Sequence, residues 1–332
     1  MNPSRFWILV GASFLLCLVC VLLFPLIGPY RLSLVEALWQ PDSLDAEILF
    51  RARLPRTLFA ALVGGALAVS GVVFQAILRN PLASPFTLGV SGGGALGAVV
   101  AILFGWQAQV FGVALLPAAS LTGALAVVFL VYGLSRWAIS FTPVTLLLAG
   151  VVLNYICAAL ILLIHYFADF TQGFLMMRWM MGGLDIFEYG VLISVLPFLA
   201  LGLLLVLPSA RSLNVLSAGE EWAESRGVRV RRLIKIQYFG ASLLTGSVVA
   251  FSGPIGFVGL IVPHTLRLLI GPDHRLLLPV SFFAGGSFLI VCDTAARTLL
   301  APTEIPVGIL TAILGGPFFL WLLLRRKGSG FF

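Results

Sequence analysis

The sequence has very little charge and almost no lysine. Only 10% of its 332 residues are Asp, Glu, Lys or Arg, and two of the 20 basic residues are lysines. Hydrophobic residues make up 60% of the chain, and the mean hydropathy is +1.10. A typical soluble domain carries about 25% charged residues. The composition therefore excludes an ordinary soluble domain and indicates a chain that folds in a lipid bilayer.

Several chemical motifs are also missing. The four cysteines lie inside apolar segments without paired spacing, which indicates packing residues rather than a disulfide or a metal site. The three histidines match no metal-ligand spacing. Neither lysine follows a glycine, so the Gly-Lys-Ser/Thr phosphate cradle is absent. We therefore expect no metal, no cofactor and no catalytic residue in this chain, and ATP, if it is used, must be bound by another chain.

Hydropathy predicts an all-α membrane protein that forms a single domain over residues 1–332. About 20 apolar residues cross the roughly 30 Å of hydrocarbon as an α-helix, and stretches of this length recur between short polar breaks. The first stretch lacks a small-residue cleavage site, so we expect it to stay as a helix. The ten predicted spans are 6–27, 55–77, 88–104, 111–135, 144–167, 190–207, 233–251, 255–270, 276–296 and 307–324.

The distribution of positive charge predicts the orientation. Ten crossings place both termini on one side, and the cytoplasmic side is the one with more Lys and Arg in its loops. With cytoplasmic termini, the inside receives 14 of the 20 basic residues and four of the 13 acids. We therefore expect both termini in the cytoplasm.

Three arginines in 51-RARLPRT-57 stand on the outer side, against this bias. Pro55 suits the first turn of a helix. Arg53 and Arg56 then lie at the positive end of the helix dipole, where cations are disfavoured. The acids between residues 42 and 47, together with lipid phosphates, offer a local compensation.

Asp293 is an acid inside the ninth span, with Arg297 one helical turn later. An i, i+4 pair can neutralise both charges. A charge within the membrane is also a candidate functional site. The alternative from another class is therefore an ion-coupled secondary transporter with Asp293 as its coupling carboxylate.

Small residues predict close helix packing and broken helices. Gly92, Gly94 and Gly97 spell G-x-G-x-x-G, but no strand precedes them, so we expect no dinucleotide site. Gly93, Gly97 and the stretch 61-ALVGGALAVSG-71 are better explained as surfaces where helices approach closely. The Gly- and Pro-rich stretches 80–94 and 252–264 are predicted to interrupt helices, where the backbone is buried or lines a cavity.

The longest inside loop contains 217-SAGEEWAESRGVRVRR-232. Ser217 and Glu220 have capping-box spacing, and Gly227 suits a helix stop, which predicts a short helix over 218–226. We interpret this helix as a docking element rather than a solvated loop, with Trp222 as its one large apolar side chain.

Seven short motifs occur in the order of one transporter family. They are 53-RLPRT-57, 79-RNPLASP-85, 89-GVSGGG-94, 146-LLLAG-150, 219-GEEWAESRGV-228, 256-GFVGLIVPH-264 and 272-PDHRLLLP-279. With them the chain resembles, over residues 54–325, the FecCD-type permeases, which are membrane subunits of binding-protein-dependent ABC importers. The resemblance implies the type II ABC importer permease fold, with ten transmembrane helices and cytoplasmic termini. It agrees with the topology obtained from hydropathy and charge.

The resemblance also implies partners, a location and a cargo. Two permease subunits, expected to be a homodimer, flank a pathway in the bacterial inner membrane. Two cytoplasmic ATPases bind ATP and Mg²⁺, and a periplasmic or surface-anchored binding protein delivers the substrate. The chain itself is expected to be no enzyme and to bind no nucleic acid. The expected cargo is an iron-siderophore or a similar metal chelate, with cobalamin and haem as the alternatives.

Particular residues match roles in that family. In the cobalamin-type permease of this family, the counterparts of three outer arginines pair with glutamates of the binding protein. Near the cytoplasmic gate, this chain has Pro143 and Val144 where the cobalamin type has small hydroxyl residues. The residues matched are Arg53, Arg56 and Arg297 for binding-protein docking; Glu220, Ala223, Arg226 and Gly227 for ATPase coupling, in a loop at about 211–232; and Asn80, Leu82, Thr142 and Pro143 for the gate.

Overall fold

The computed structural model describes residues 3–106, 109–110, 113–137, 142–185 and 188–325, and these fold almost entirely into helices. The α-helices are α1 Pro3–Leu23, α2 Leu34–Trp39, α3 Leu44–Glu47, α4 Leu54–Ile77, α5 Val90–Leu103, α6 Leu115–Trp137, α7 Pro143–Phe167, α8 Phe170–Met180, α9 Tyr189–Val206, α10 Ala210–Leu216, α11 Glu220–Ser225, α12 Val230–Ser252, α13 Val258–Ile270, α14 His274–Thr298 and α15 Val307–Arg325. Phe24–Leu26 and Leu207–Ser209 are 3-10 turns, and Ile48–Arg53 is a π-helix. A short antiparallel pair joins β1 Gln109–Val110 to β2 Val113–Ala114.

Each of the ten predicted spans corresponds to one apolar helix. Seven helical segments of the described chain are long and apolar enough to cross a membrane, and α5, α13 and α15 are shorter apolar helices. The predicted all-α fold is therefore confirmed. The sequence analysis did not predict α2, α8 or the π-helix, because none of these segments is long and apolar.

The centre of the molecule is α4, which packs against α12, α13 and α14. Small residues allow these helices to approach along their backbones: a Cβ atom on Gly64 would collide with the carbonyl of Gly285, and one on Gly71 with the carbonyl of Gly259. In the same way, α5 lies against α6 at Gly93 and Gly97. The predicted small-residue packing surfaces are confirmed.

Helices α1 and α7 lie at the periphery. Only 11% and 17% of their apolar windows are buried, compared with 83% for the segment that contains α4. Large apolar side chains on α7, such as Leu148, Tyr155 and Leu162, are exposed. Lipid or another subunit must cover these faces in the membrane.

The stretch between α12 and α13 is a buried interruption of helical structure, as predicted. Gly253 and Phe257 have φ values of 64° and 66°, in the left-handed region. The carbonyl of Ser252 accepts a hydrogen bond from the backbone N–H of Gly183 at 2.8 Å. The second predicted interruption precedes α5, where Gly89 has a φ of 80°.

Candidate functional site

Arg56 and Arg297 both bind the buried carboxylate of Asp293, and we call these three residues the buried charge cluster. Arg56 Nε donates to Asp293 Oδ1 at 3.1 Å and to Oδ2 at 3.2 Å, and Arg297 Nε donates to Oδ2 at 3.1 Å. Relative exposures are 6% for Arg56, 1% for Asp293 and 4% for Arg297. The predicted i, i+4 pair of Asp293 and Arg297 is confirmed. The structure adds Arg56, which is 237 residues from Asp293 in the sequence.

The close packing of α4 on α14 makes this cluster possible. The two helices approach at Gly64 and Gly285, and Arg56 and Asp293 lie toward the same end of the contact. A buried charge is costly unless a well-placed opposite charge compensates it. The cluster therefore fixes the end of α4 to the end of α14.

Two acids at the rim face the remaining nitrogen of Arg56. Arg56 Nη1 lies 2.8 Å from Glu304 Oε2 and 3.3 Å from Asp185 Oδ1. Asp185 also pairs with Arg178, at 3.2 Å. The side chains of Asp185 and Glu304 are each 45% exposed. Together with Phe174, these residues line an open cavity of about 510 Å³.

Arg53 is buried in a different way. Its guanidinium donates to the carbonyls of Pro25 at 3.2 Å, Leu26 at 3.4 Å and Tyr30 at 2.8 Å. These carbonyls follow the C-terminal end of α1, where the helix dipole favours a cation. Gly28 leaves the necessary room, because a Cβ atom there would collide with the guanidinium.

The expectation of local compensation by the acids at 42–47 is correct for Arg51 and wrong for Arg56, while Asp45 attracts Arg53 electrostatically without pairing with it directly. Arg51 pairs with Glu47 at 3.5 Å, on the surface. Arg53 binds backbone carbonyls and Arg56 binds distant acids, while Asp45 accepts from the backbone of Ser33. The π-helix and α4 carry the guanidiniums of Arg53 and Arg56 into the protein. Their direct partners there are backbone carbonyls and distant acids rather than the carboxylates at 42–47.

The docking role of Arg53, Arg56 and Arg297 stays a prediction. In the described chain the three side chains are buried and bonded within the protein. Next to this cluster, the rim acids and Arg178 are partly exposed. The ion-coupling role of Asp293 is disfavoured, since two guanidiniums occupy both of its oxygens.

The loop helix α11 is shorter than the sequence predicts, and its predicted capping box is wrong. Ser217 ends α10 by donating its hydroxyl to the carbonyl of Leu213 at 2.9 Å, so Gly219 takes the N-cap position of α11. The predicted stop at Gly227 is confirmed. Gly227 has a φ of 80°, and the next residue, Val228, donates to the carbonyl of Ala223 at 3.0 Å.

One side of α11 packs on the protein and the other faces solvent. Ala223 is completely buried, between α10 and α12. Trp222 is 51% exposed, and the Arg226 guanidinium lies 4.6 Å from the centre of its ring. Glu220 pairs with Arg79 at 2.8 Å. The helix therefore exposes Trp222, with Arg226 stacked on it, to solvent, while Ala223 anchors it.

The predicted gate residues lie at the ends of α4 and α7. Asn80 Oδ1 accepts from the backbone N–H of Leu82 at 2.9 Å, and the Leu82 side chain is exposed. Thr142 caps α7 by accepting from Thr145 N at 3.2 Å, and Pro143 begins that helix. Phe141, in the predicted turn before α7, lies outside the described residues. The gating role of Asn80, Leu82, Thr142 and Pro143 stays a prediction.

A polar cluster joins the loop after α13 to α10. Asp273 accepts from Arg275 Nη2 at 2.6 Å and from Asn214 Nδ2 at 2.7 Å. The hydrogen bond from Arg275, followed by that from Asn214, holds the pKa of Asp273 well below its ordinary value. His274 Nδ1 lies 2.8 Å from the Asn214 side-chain oxygen. This cluster fixes α10, which precedes α11, to the turn between α13 and α14.

The family comparison decides the class of protein. The family model of the FecCD transport family matches residues 15–325. This chain belongs to the FecCD transport family. It is therefore a permease subunit of an ABC importer, and as a transport permease of this family it relies on ATPase and substrate-binding partners.

Relatives of this FecCD permease carry several cargoes. The chain is 41% identical to the haemin transport permease HmuU of Yersinia pestis over 95% of both chains. It is 44% identical to the cobalamin import permease BtuC of Halobacterium salinarum, over 83% of this chain and 73% of that one. It is 35% identical to the iron(3+)-hydroxamate import permease FhuG of Bacillus subtilis, over 96% and 97%.

A solved structure agrees with this assignment. An inward-facing metal-chelate type ABC transporter matches with a TM-score of 0.85 and 33% identity, over 95% of this chain and 98% of that chain. The resemblance read from the seven motifs is thus confirmed. The multi-pass membrane location follows from the membrane-spanning helices and the permease relatives.

Proposed function

We propose that this FecCD permease works as a homodimer in the bacterial inner membrane, with both termini in the cytoplasm. Two ATPases bind ATP and Mg²⁺, and a binding protein delivers the cargo from outside. The observation that carries the proposal is the family match over residues 15–325. The exposed apolar faces of peripheral helices, α7 above all, provide surface for a second subunit.

The proposed cargo is a ferric siderophore or a similar metal chelate. The structural neighbour is of metal-chelate type, and a relative that matches over 96% of this chain and 97% of its own is an iron(3+)-hydroxamate import permease. Haem is the second candidate, since the haemin permease also matches along nearly its whole length. Cobalamin is the third.

The cytoplasmic ATPase is proposed to contact the exposed side of α11. Trp222 and Arg226 stack on each other there and form an aromatic and cationic surface. Ala223 and Gly227 act indirectly in this proposal. Ala223 packs α11 on the protein, and the left-handed Gly227 ends the helix.

The binding protein is proposed to meet the outer end through competition for Arg56. A carboxylate of the binding protein can take the place of Glu304, which is 45% exposed, while Asp293 keeps Arg56 charged and in position. Arg297 and Arg53 hold the neighbouring helix ends. This mechanism reconciles a docking role with the burial of all three arginines.

The cargo is tested by uptake in proteoliposomes that hold the permease and its ATPase, with the binding protein outside. The probes are ferric ferrioxamine, haemin and cyanocobalamin, each at equal concentration. We expect ATP-dependent accumulation of the ferric chelate above the other two. Accumulation of haemin alone would transfer the function to haem import, and an excess of cyanocobalamin would transfer it to cobalamin import.

A further inference from the structure

Arg79 and Glu220 form an ion pair between two segments with separate proposed roles. Arg79 Nη2 lies 2.8 Å from Glu220 Oε1, and the residues are 141 positions apart in the sequence. Arg79 directly precedes Asn80 in the proposed gate, and Glu220 is the first residue of α11. The inference rests on the proposed function, in which α11 contacts the ATPase, and on the predicted role of Asn80 and Leu82 in the cytoplasmic gate.

The backbone of Arg79 has a conformation that usually requires glycine. Its φ is 49°, and its N–H donates to the carbonyl of Ala76 at 3.3 Å, while Asn80 N donates to the carbonyl of Gln75 at 3.2 Å. This is a helix stop with a left-handed residue, where glycine is normally preferred. A non-glycine residue in this region is a reason to look for a function of its side chain.

The gate loop continues directly from this position. Asn80 accepts from the N–H of Leu82 at 2.9 Å, which fixes the first turn of the loop to the residue after Arg79. A displacement of the Arg79 guanidinium therefore acts at the start of the turn that carries Leu82.

Glu220 is singled out among the acids of α11. Glu221 and Glu224 are exposed, and the described residues offer their side chains no ion pair or hydrogen bond. Arg226, the basic residue that follows the helix, stacks on Trp222 instead. The pair is thus a specific connection between the first turn of α11 and the end of α4.

We propose that the Arg79–Glu220 pair positions the gate loop according to the state of α11. When the ATPase moves α11, the pair carries that movement to Asn80 and Leu82. The two side chains are 43% and 34% exposed, so solvent screens their attraction. An exposed ion pair shifts the equilibrium between two positions of the gate loop by up to about fivefold. Loss of the pair should therefore weaken the movement of the gate loop rather than abolish it.

The test follows the loop directly. The four native cysteines are buried, so a water-soluble, environment-sensitive maleimide dye labels a Leu82→Cys protein at the loop. The labelled permease is assembled with its ATPase in proteoliposomes, and the change in emission on ATP addition is measured. Arg79→Gln and Glu220→Gln are compared with the neighbouring control Glu221→Gln and with the charge swap Arg79→Glu/Glu220→Arg.

We expect ATP to change the emission of the labelled parent. Arg79→Gln and Glu220→Gln should each reduce the change by up to about fivefold. Glu221→Gln should leave it intact when compared at the same amount of retained ATPase, and the swap should restore most of it. Retention of the ATPase during purification shows that α11 still docks. Three results would overturn the proposed role of the Arg79–Glu220 pair. They are a full ATP-induced emission change in Glu220→Gln, no emission change in the parent, and a charge swap that restores no more of the change than the single variants show. If the parent retains no ATPase at all, the proposed function itself fails, and the link fails with it.

Discussion

Replacing Asp293 with asparagine should destabilise the permease strongly, because it leaves two buried guanidiniums without their shared carboxylate. Breaking a buried ion pair by removal of one partner costs about 3–5 kcal/mol. At about 2.1 cal/mol/K per residue, a chain of 332 residues unfolds with an entropy of ~0.7 kcal/mol/K, so the midpoint should fall by roughly 4–7 °C. The rim acid Glu304 pairs directly with Arg56, and its exposure limits what it can offset.

The assay for this prediction is thermal unfolding in detergent, followed by the loss of monodisperse protein. Glu47→Gln is the matched control, since it removes an acid whose partner Arg51 is on the surface, and it should shift the midpoint by less than about 2 °C. In the double variant Asp293→Asn/Arg297→Gln, the loss should be smaller than the sum of the single losses. An Asp293→Asn midpoint within about 1 °C of the parent would refute the account of the buried charge cluster.

Three further predictions concern docking, packing and pH. Glu304→Gln should strengthen binding of the binding protein, most clearly at low salt, relative to the control Glu188→Gln at another exposed glutamate. Weaker or unchanged binding by surface plasmon resonance would contradict the competition for Arg56. Gly64→Ala should lower the free energy of unfolding by about 1–3 kcal/mol through overpacking. Gly11→Ala should not, because a Cβ atom there meets nothing within 4 Å. Equal thermal unfolding midpoints for the two variants would contradict the close approach of α4 and α14. The folded-state pKa of Asp273 is depressed, so the stabilisation from this carboxylate is present at neutral pH and is lost as the pH falls below the ordinary Asp pKa of 3.8. The difference in unfolding free energy between the parent and Asp273→Asn should therefore narrow from pH 5 to pH 3. A constant difference would contradict the depressed pKa of Asp273.

Hydropathy predicted the membrane helices because the length and apolarity of a span are local properties of the sequence. The same is true of the small-residue surfaces, since Gly64 and Gly71 need only a neighbouring backbone. The helix stop at Gly227 was also predictable, because glycine adopts positive φ without strain.

The partners of the charged residues could not be predicted in this way. Local reasoning placed nearby acids beside Arg53 and Arg56, but the structure pairs Arg56 with Asp293, and only the packing of α4 on α14 brings them together. The carbonyls that bind Arg53 carry no side-chain signal in the sequence. The capping box failed for a related reason: the Ser217 hydroxyl has a competing acceptor in its own preceding helix.

The pairing of Arg79 with Glu220 could not be predicted either, because only the packing of the helices brings the two residues together. One local signal nevertheless existed. Arg79 follows the last turn of an apolar helix and precedes Asn-Pro, a position where a glycine stop is common. An arginine at such a position is a reason to look for a distant acid.

The most direct test of the central claim is the energy source of uptake. Permease reconstituted with its ATPase, and supplied with the binding protein loaded with ferric ferrioxamine, should accumulate the chelate only with ATP and Mg²⁺, and an uncoupler should have no effect. Omission of either the ATPase or the binding protein should abolish uptake. Accumulation driven by a proton or sodium gradient without the ATPase would contradict the account and return Asp293 to the role of a coupling carboxylate.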